Sequence, residues 1–154
     1  MANRRQFCTF RVDDLFLGIE VSKVQEVIRY HEMTRVPLAA REVSGLINLR
    51  GQIVTAIDLR QRIGLPPRKS GQQPMNVVIN LDDGAVSFLV DDIGDVLELD
   101  EIDFEPAPET LKESIRDLVS GLYKLGGELL LVLKVEKAAE PAATPSELAE
   151  LTRE

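Results

Sequence analysis

Tryptophan is absent from the 154 residues, and cysteine and histidine each occur once. Each scarcity removes a class of function. Cys8 has no partner for an internal disulfide, and its place in an apolar run reads as a buried, inert thiol. His31 has no Cys or His at ligand spacing, so neither a metal site nor a histidine-based catalytic constellation is expected. No stretch approaches the ~20 apolar residues of a membrane helix. Leu129–Leu133 lies beside Gly126-Gly127 and reads as a buried strand. The N-terminus, Met-Ala-Asn-Arg-Arg-Gln, has no signal-peptide apolar core, so a cytoplasmic protein is expected. Gly-x-Gly-x-x-Gly, P-loop and Gly-x-Ser-x-Gly patterns are also missing. The acids fall on predicted loops without a histidine or lysine at a telling spacing. The expectation is a protein that is not an enzyme and holds no cofactor.

What is present is charge, unevenly spread. The net charge of −8 argues against a nucleic-acid backbone as partner. Residues 1–70 carry 12 Lys/Arg against 7 Asp/Glu, and residues 71–154 carry 6 against 19, so the halves have opposite sign. Two solvated surfaces account for this, as does a polarised module that docks in one orientation. Between Asp82 and Asp117 there are 13 acids and 2 bases, without calcium-loop spacing, which reads as a solvated face.

Short alternating segments dominate. Phe7–Val12 and Leu15–Val21 flank Asp13-Asp14 and read as neighbouring strands. Ser22-Lys23-Val24-Gln25 matches a capping box, and the spacing of Val24, Val27 and Ile28 predicts a short helix over Lys23–Ile28. Glu26 would then sit at a helix edge. Val36-Pro37 favours extended chain. Asp58–Ile63 suits a helical turn ended by Gly64, and Pro66–Pro74 is a polar connector and the candidate boundary. Asp82-Asp83-Gly84 joins the strands Asn76–Leu81 and Ala85–Val90. Gly126-Gly127 joins Val119–Leu125 and Glu128–Val135. Val96–Leu99 and Ile102–Phe104 read as short extended pieces, and Leu111–Leu118 as a loop with a helical turn. From Ala138 the composition turns to Ala, Pro and Glu, and Thr144-Pro145-Ser146-Glu147 signals a short helix over 145–152. Many short strands with Gly and Asp turns point to an all-β barrel class.

The centre of this pattern is Ser44–Arg60. Two β-rich runs, Leu46–Arg50 and Gln52–Leu59, meet at Gly51, where a tight reversal is expected. Alternation places Asn48 and Arg50 on one side just before the turn, opposite Ile47 and Leu49. The block Gly45-Leu-Ile-Asn-Leu-Arg-Gly-Gln-Ile-Val-Thr-Ala-Ile-Asp-Leu59 resembles the signature of the CheW family of bacterial chemotaxis coupling proteins. Leu17-Gly-Ile-Glu-Val-Ser-Lys-Val-Gln-Glu-Val27 and the spacing between the two blocks extend the resemblance, which runs weakly on to about Lys137.

The resemblance implies two five-stranded, SH3-like β-barrel subdomains packed side by side. The CheW-like domain would cover 1–137, with a first barrel at about 13–70, a second at about 74–137 and a tail at 138–154. The split would fall near Pro66–Pro74, and the N-terminal strand, crossing to the second barrel, would hold the pair together. It also implies a non-enzymatic adaptor between chemoreceptors and a chemotaxis histidine kinase. The cytoplasmic tip of a methyl-accepting chemoreceptor would bind at Val24, Glu26, Gly45, Asn48 and Arg50. There, near the groove between the barrels, a Glu–Arg pair would fix the groove rim, Val24 would offer apolar contact and Gly45 would permit close approach. The regulatory domain of the kinase CheA would meet Met33 and Val36, which as side chains alone are equally good core residues. The expected location is the cytoplasm, at receptor arrays on the inner membrane. Arg29 departs from the family, which commonly has a small residue there. Open alternatives are an adaptor of a twitching or other chemosensory-like pathway, and a small-barrel peptide-binding module.

Overall fold

The computed structural model describes residues 3–141. The expected tail helix over 145–152 lies outside them. Alternation yields strands where it was read. β1 (Arg4–Val12) and β2 (Leu15–Glu20) pair antiparallel about Asp13, which takes a left-handed φ of 55°. β4 (Val43–Leu49) and β5 (Gln52–Asp58) form the central hairpin. β6 (Met75–Leu81) and β7 (Gly84–Val90) form the Asp-Asp-Gly hairpin. β9 (Val119–Leu125) and β10 (Glu128–Leu133) form the Gly-Gly hairpin. β8 runs from Asp92 to Asp100, longer than the extended piece expected there. Glu101–Asp103 is a 3₁₀ turn rather than extended chain. Among the described residues three short helices, α1 (Leu59–Ile63), α2 (Glu113–Arg116) and α3 (Val135–Ala138), sit at strand ends.

One expected element is wrong. The helix over Lys23–Ile28 is absent: Val21–Lys23 is a 3₁₀ turn with no side-chain cap, and Val24–Ile28 is a strand, β3. Three of its five residues are β-branched, and the free edge of β6 supplies the hydrogen bonds a lone helical turn would lack. A bulge between Val24 and Glu26 breaks strict alternation, which is why the spacing imitated a helix.

The strands form two five-stranded sheets, ordered β3-β6-β7-β5-β4 and β8-β1-β2-β10-β9. Their plans match. Each has one parallel contact, β5 with β7 and β10 with β2. Each has an edge strand carrying a one-residue bulge, Val24 facing Ile79 in one and Ile93 facing Phe10 in the other. After each edge strand the chain crosses over and bridges the outer edge of the last strand, Thr34 to Leu46 and Glu105 to Leu122. That bridge rolls each sheet into a small barrel and removes its free edge.

The correspondence is written in the sequence. Val43-Ser44-Gly45-Leu46 recurs as Val119-Ser120-Gly121-Leu122, and each tetrapeptide carries the bridging leucine. Val12-Asp13-Asp14 matches Leu81-Asp82-Asp83, and Val24-Gln25-Glu26-Val27 matches Ile93-Gly94-Asp95-Val96. The repeats, however, are exchanged between barrels. The first barrel takes β3–β5 from the first repeat and β6–β7 from the second; the second barrel takes β8–β10 and β1–β2. The boundaries 13–70 and 74–137 therefore do not delimit the barrels. Pro66–Pro74 separates the repeats but links α1 to β6 of the same sheet. The N-terminal strand does cross to the second barrel, and β2 crosses with it.

Between the barrels lies the largest apolar cluster. It includes Phe10, Leu17 and Leu131 from one sheet and Ile57, Ile79 and Phe88 from the other. Smaller cores fill each barrel, around Ile47, Val54 and Leu89 in the first and Phe7, Tyr123 and Leu130 in the second. Ala138 and Ala139 are buried in the shared cluster, so the body extends past the expected limit at 137.

Candidate functional site

Arg50 and Gly51 occupy the β4–β5 turn, both left-handed at φ of 50° and 86°. Glycine takes this conformation freely, whereas arginine does so under strain. Asn48 holds the turn: its Oδ1 accepts the Gly51 N–H at 3.0 Å. The turn carries the Arg50 guanidinium to Glu26 on β3, where an Nη2 donates to Oε2. Beside it the Gln25 amide donates to Gln52 Oε1 at 3.3 Å. β3 and β4 are the two outermost strands of the sheet, so these contacts cross the seam of the first barrel. The hydrogen bond from Arg50 holds the Glu26 carboxyl below its usual range against the opposing effect of burial, with Gln25 and the charge of Arg50 assisting.

The other expected site residues lie on β3, on β4 and in the segment that crosses between them. Val24 is half-buried against the inter-barrel cluster. Gly45 is buried, and a Cβ there would lie 2.6 Å from the Thr34 carbonyl oxygen. The close approach expected of a receptor at Gly45 is thus made by the chain's own crossing segment. Met33 is half-buried against the core of the first barrel, and Val36 is half-buried in the same crossing segment.

Three exposed apolar residues escaped the sequence reading. Val27, next to Glu26 on β3, is 37% exposed, Ile53 on β5 is 53% exposed, and Leu38 is 91% exposed. Leu38 also has a φ of 63°, a strained conformation for a leucine that makes no buried contact. For Val27 the signal is hidden by the helical spacing; for Leu38 the neighbouring Val36-Pro37 signals only extended chain. Cys8 is half-buried rather than fully enclosed, and burial pushes its thiol pKa up, away from reactivity. Among the described residues no group of three or more His, Cys, Asp or Glu could hold a metal ion. Nor is any described helix long and apolar enough to cross a membrane.

The model of the CheW-like domain matches residues 6–142. The chain belongs to the CheW-like family. Similar members include the chemotaxis protein CheW of Klebsiella aerogenes, 32% identical over 86% of this chain and 80% of that protein. The CheW of Helicobacter pylori is 30% identical over 86% of this chain and 79% of its own. The CheW of Bacillus subtilis is 28% identical over 90% and 91%. In fold, the chain is similar to the scaffolding protein TtCheW from Thermoanaerobacter tengcongensis. The TM-score is 0.77 at 24% identity, covering 86% of this chain and 90% of the other. The CheW-like match spans both exchanged repeats and ends beyond α3, as the buried Ala138 and Ala139 require. Membership makes the chain a chemotaxis adaptor by class.

Proposed function

We propose that this CheW-like chain couples chemoreceptors to a chemotaxis histidine kinase and performs no chemistry of its own. The observation that carries the reading is the Glu26–Arg50 ion pair across the seam of the first barrel, whose strands also expose Val27 and Ile53. A helical receptor tip presents apolar knobs ringed by charge, and an apolar patch with a polarised rim is its complement. Val24, Glu26, Asn48 and Arg50 shape that rim, and Gly45 supports it from beneath. The kinase regulatory domain meets the crossing segment through Met33 and Val36, with Leu38 as the exposed knob. The adaptor works in the cytoplasm and is held at inner-membrane arrays through the receptor.

The test is co-purification of the full chain with a receptor cytoplasmic fragment and the kinase regulatory domain. A ternary complex is expected. Arg50→Ala should weaken receptor binding and leave kinase binding unchanged; Leu38→Asp should do the reverse. Binding of neither partner by the unaltered chain overturns the reading.

A further inference from the structure

The chain carries the same seam twice, once plugged and once open. In the first barrel Glu26, Arg50, Gln25 and Gln52 bridge it. The repeat register places Asp95, Gly126, Gly94 and Glu128 at the corresponding positions of the second barrel. None of these four bridges its seam. Gly126 has no side chain where Arg50 has its guanidinium. Gly94 cannot carry one, because a Cβ would lie 2.5 Å from Thr9 Oγ1. Glu128 turns away to Arg11, with Nη1 and Oε1 3.0 Å apart. The Asp95 carboxylate makes no ion pair or hydrogen bond among the described residues; only its backbone carbonyl is used, accepting from Thr9 Oγ1. Apolar exposure is repeated as well: Val96 is 57% and Leu129 41% exposed, at the positions of Val27 and Ile53.

From this we infer that the second seam is a docking site for a partner protein that supplies the missing arginine, seated in a turn beside an apolar residue. The first seam displays the filled form on the same scaffold: a guanidinium from a tight turn against a carboxylate on the bulged edge strand. Charge selects the occupant. Asp92, Asp95 and Glu98 are exposed along β8; Arg4 lies 4.0 Å from Glu98 and Arg11 stands opposite Asp92 in the register, but among the described residues no base pairs with Asp95. The planar fork of arginine suits a carboxylate better than the point charge of lysine. The site is separate from the receptor and kinase surfaces proposed above and does not depend on them.

The experiment titrates the isotope-labelled full chain with the peptide acetyl-Val-Arg-Gly-Val-amide and follows backbone amide shifts. Shifts confined to 94–96 and 126–129 are expected, weakening as salt rises. Replacing the peptide arginine by glutamine should abolish them. Asp95→Asn should weaken binding by at least about threefold, within the range for an exposed pair, while Asp92→Asn should leave it nearly unchanged. Gly126→Arg should block the peptide by refilling the seam; its surroundings are open and its φ is not left-handed, so the variant should fold. Equal losses from Asp92→Asn and Asp95→Asn would reduce the site to general attraction by an acidic face and overturn it. So would shifts centred on Glu26, or no shifts at all.

Discussion

Single residues in this chain serve folding and binding on different terms, and the difference can be measured. Arg50 occupies a left-handed position that glycine takes without strain. Arg50→Gly should therefore leave stability within about 0.5 kcal/mol of the parent, relief of strain offsetting the lost exposed pair. Receptor affinity should still fall by roughly three- to tenfold, as for truncation of one charged rim residue. Chemical denaturation and a pull-down on the same sample separate the two effects. Gly45 is the opposite case. A Cβ 2.6 Å from the Thr34 carbonyl must push the crossing segment off β4 and break the bridge to Leu46. Gly45→Ala should cost about 1–3 kcal/mol, the usual range for overpacking, read as a lower denaturant midpoint. Gly121, whose added Cβ would meet Glu105 O at 2.5 Å, should behave alike in the second barrel.

At the scale of elements, the junction of β5, α1 and β7 is held by charge. Asp58 caps α1 by accepting the Arg60 N–H at 3.0 Å, and Gly64 ends the helix in the left-handed region. Arg60 grips Asp91 through Nε and Nη2 at 2.7 to 3.1 Å, and Asp13 from the β1–β2 turn donates its N–H to the same carboxylate. Arg68 fastens the connector, with Nη1 donating to Asp58 at 3.0 Å. Its Nε lies 2.9 Å from Asp91 without hydrogen-bond geometry, so it contributes charge alone there. Burial raises the Asp91 pKa, but the hydrogen bonds from Arg60 and Asp13 and the charges of both arginines outweigh it, so the net shift is downward. A carboxyl depressed in the folded state adds stability above its unfolded pKa of about 3.9 and loses that stability as pH falls through the folded value. Thermal melts should thus fall away below about pH 4. Asp91→Asn should lower stability at neutral pH and flatten that acid slope. A parallel drop at every pH would show that the carboxylate does not titrate in this way.

For the whole molecule, exchange of strands between repeats makes the two barrels one cooperative body. Each barrel holds strands from both sides of Pro66–Pro74, and the largest core lies between the barrels. Proteolytic cutting within 66–74 should leave both fragments in one particle of unchanged size by gel filtration, separable only in denaturant. Two particles would mean that each repeat stands alone. The intact chain should unfold in a single transition, because loss of either repeat takes strands from both sheets.

How much was legible in the sequence follows from the range of the forces involved. The hairpin turns, the α1 turn and the signature around Arg50 were readable, because alternation, Asp-Gly and Gly-Gly pairs and caps act within a few residues. The repeat of Val-Ser-Gly-Leu is also a sequence feature, but its meaning lies in the bridging leucine that each copy supplies to its barrel. Only the tertiary structure decided that Val24–Ile28 is a strand, since a partner edge on β6 outweighed local helical spacing. It also decided that the connector divides repeats rather than barrels. Strand pairing is long-range: which edge a strand joins depends on what the rest of the chain leaves unpaired. For the same reason the pairing of Glu26 with Arg50, and the vacancy opposite Asp95, became visible only when each barrel closed.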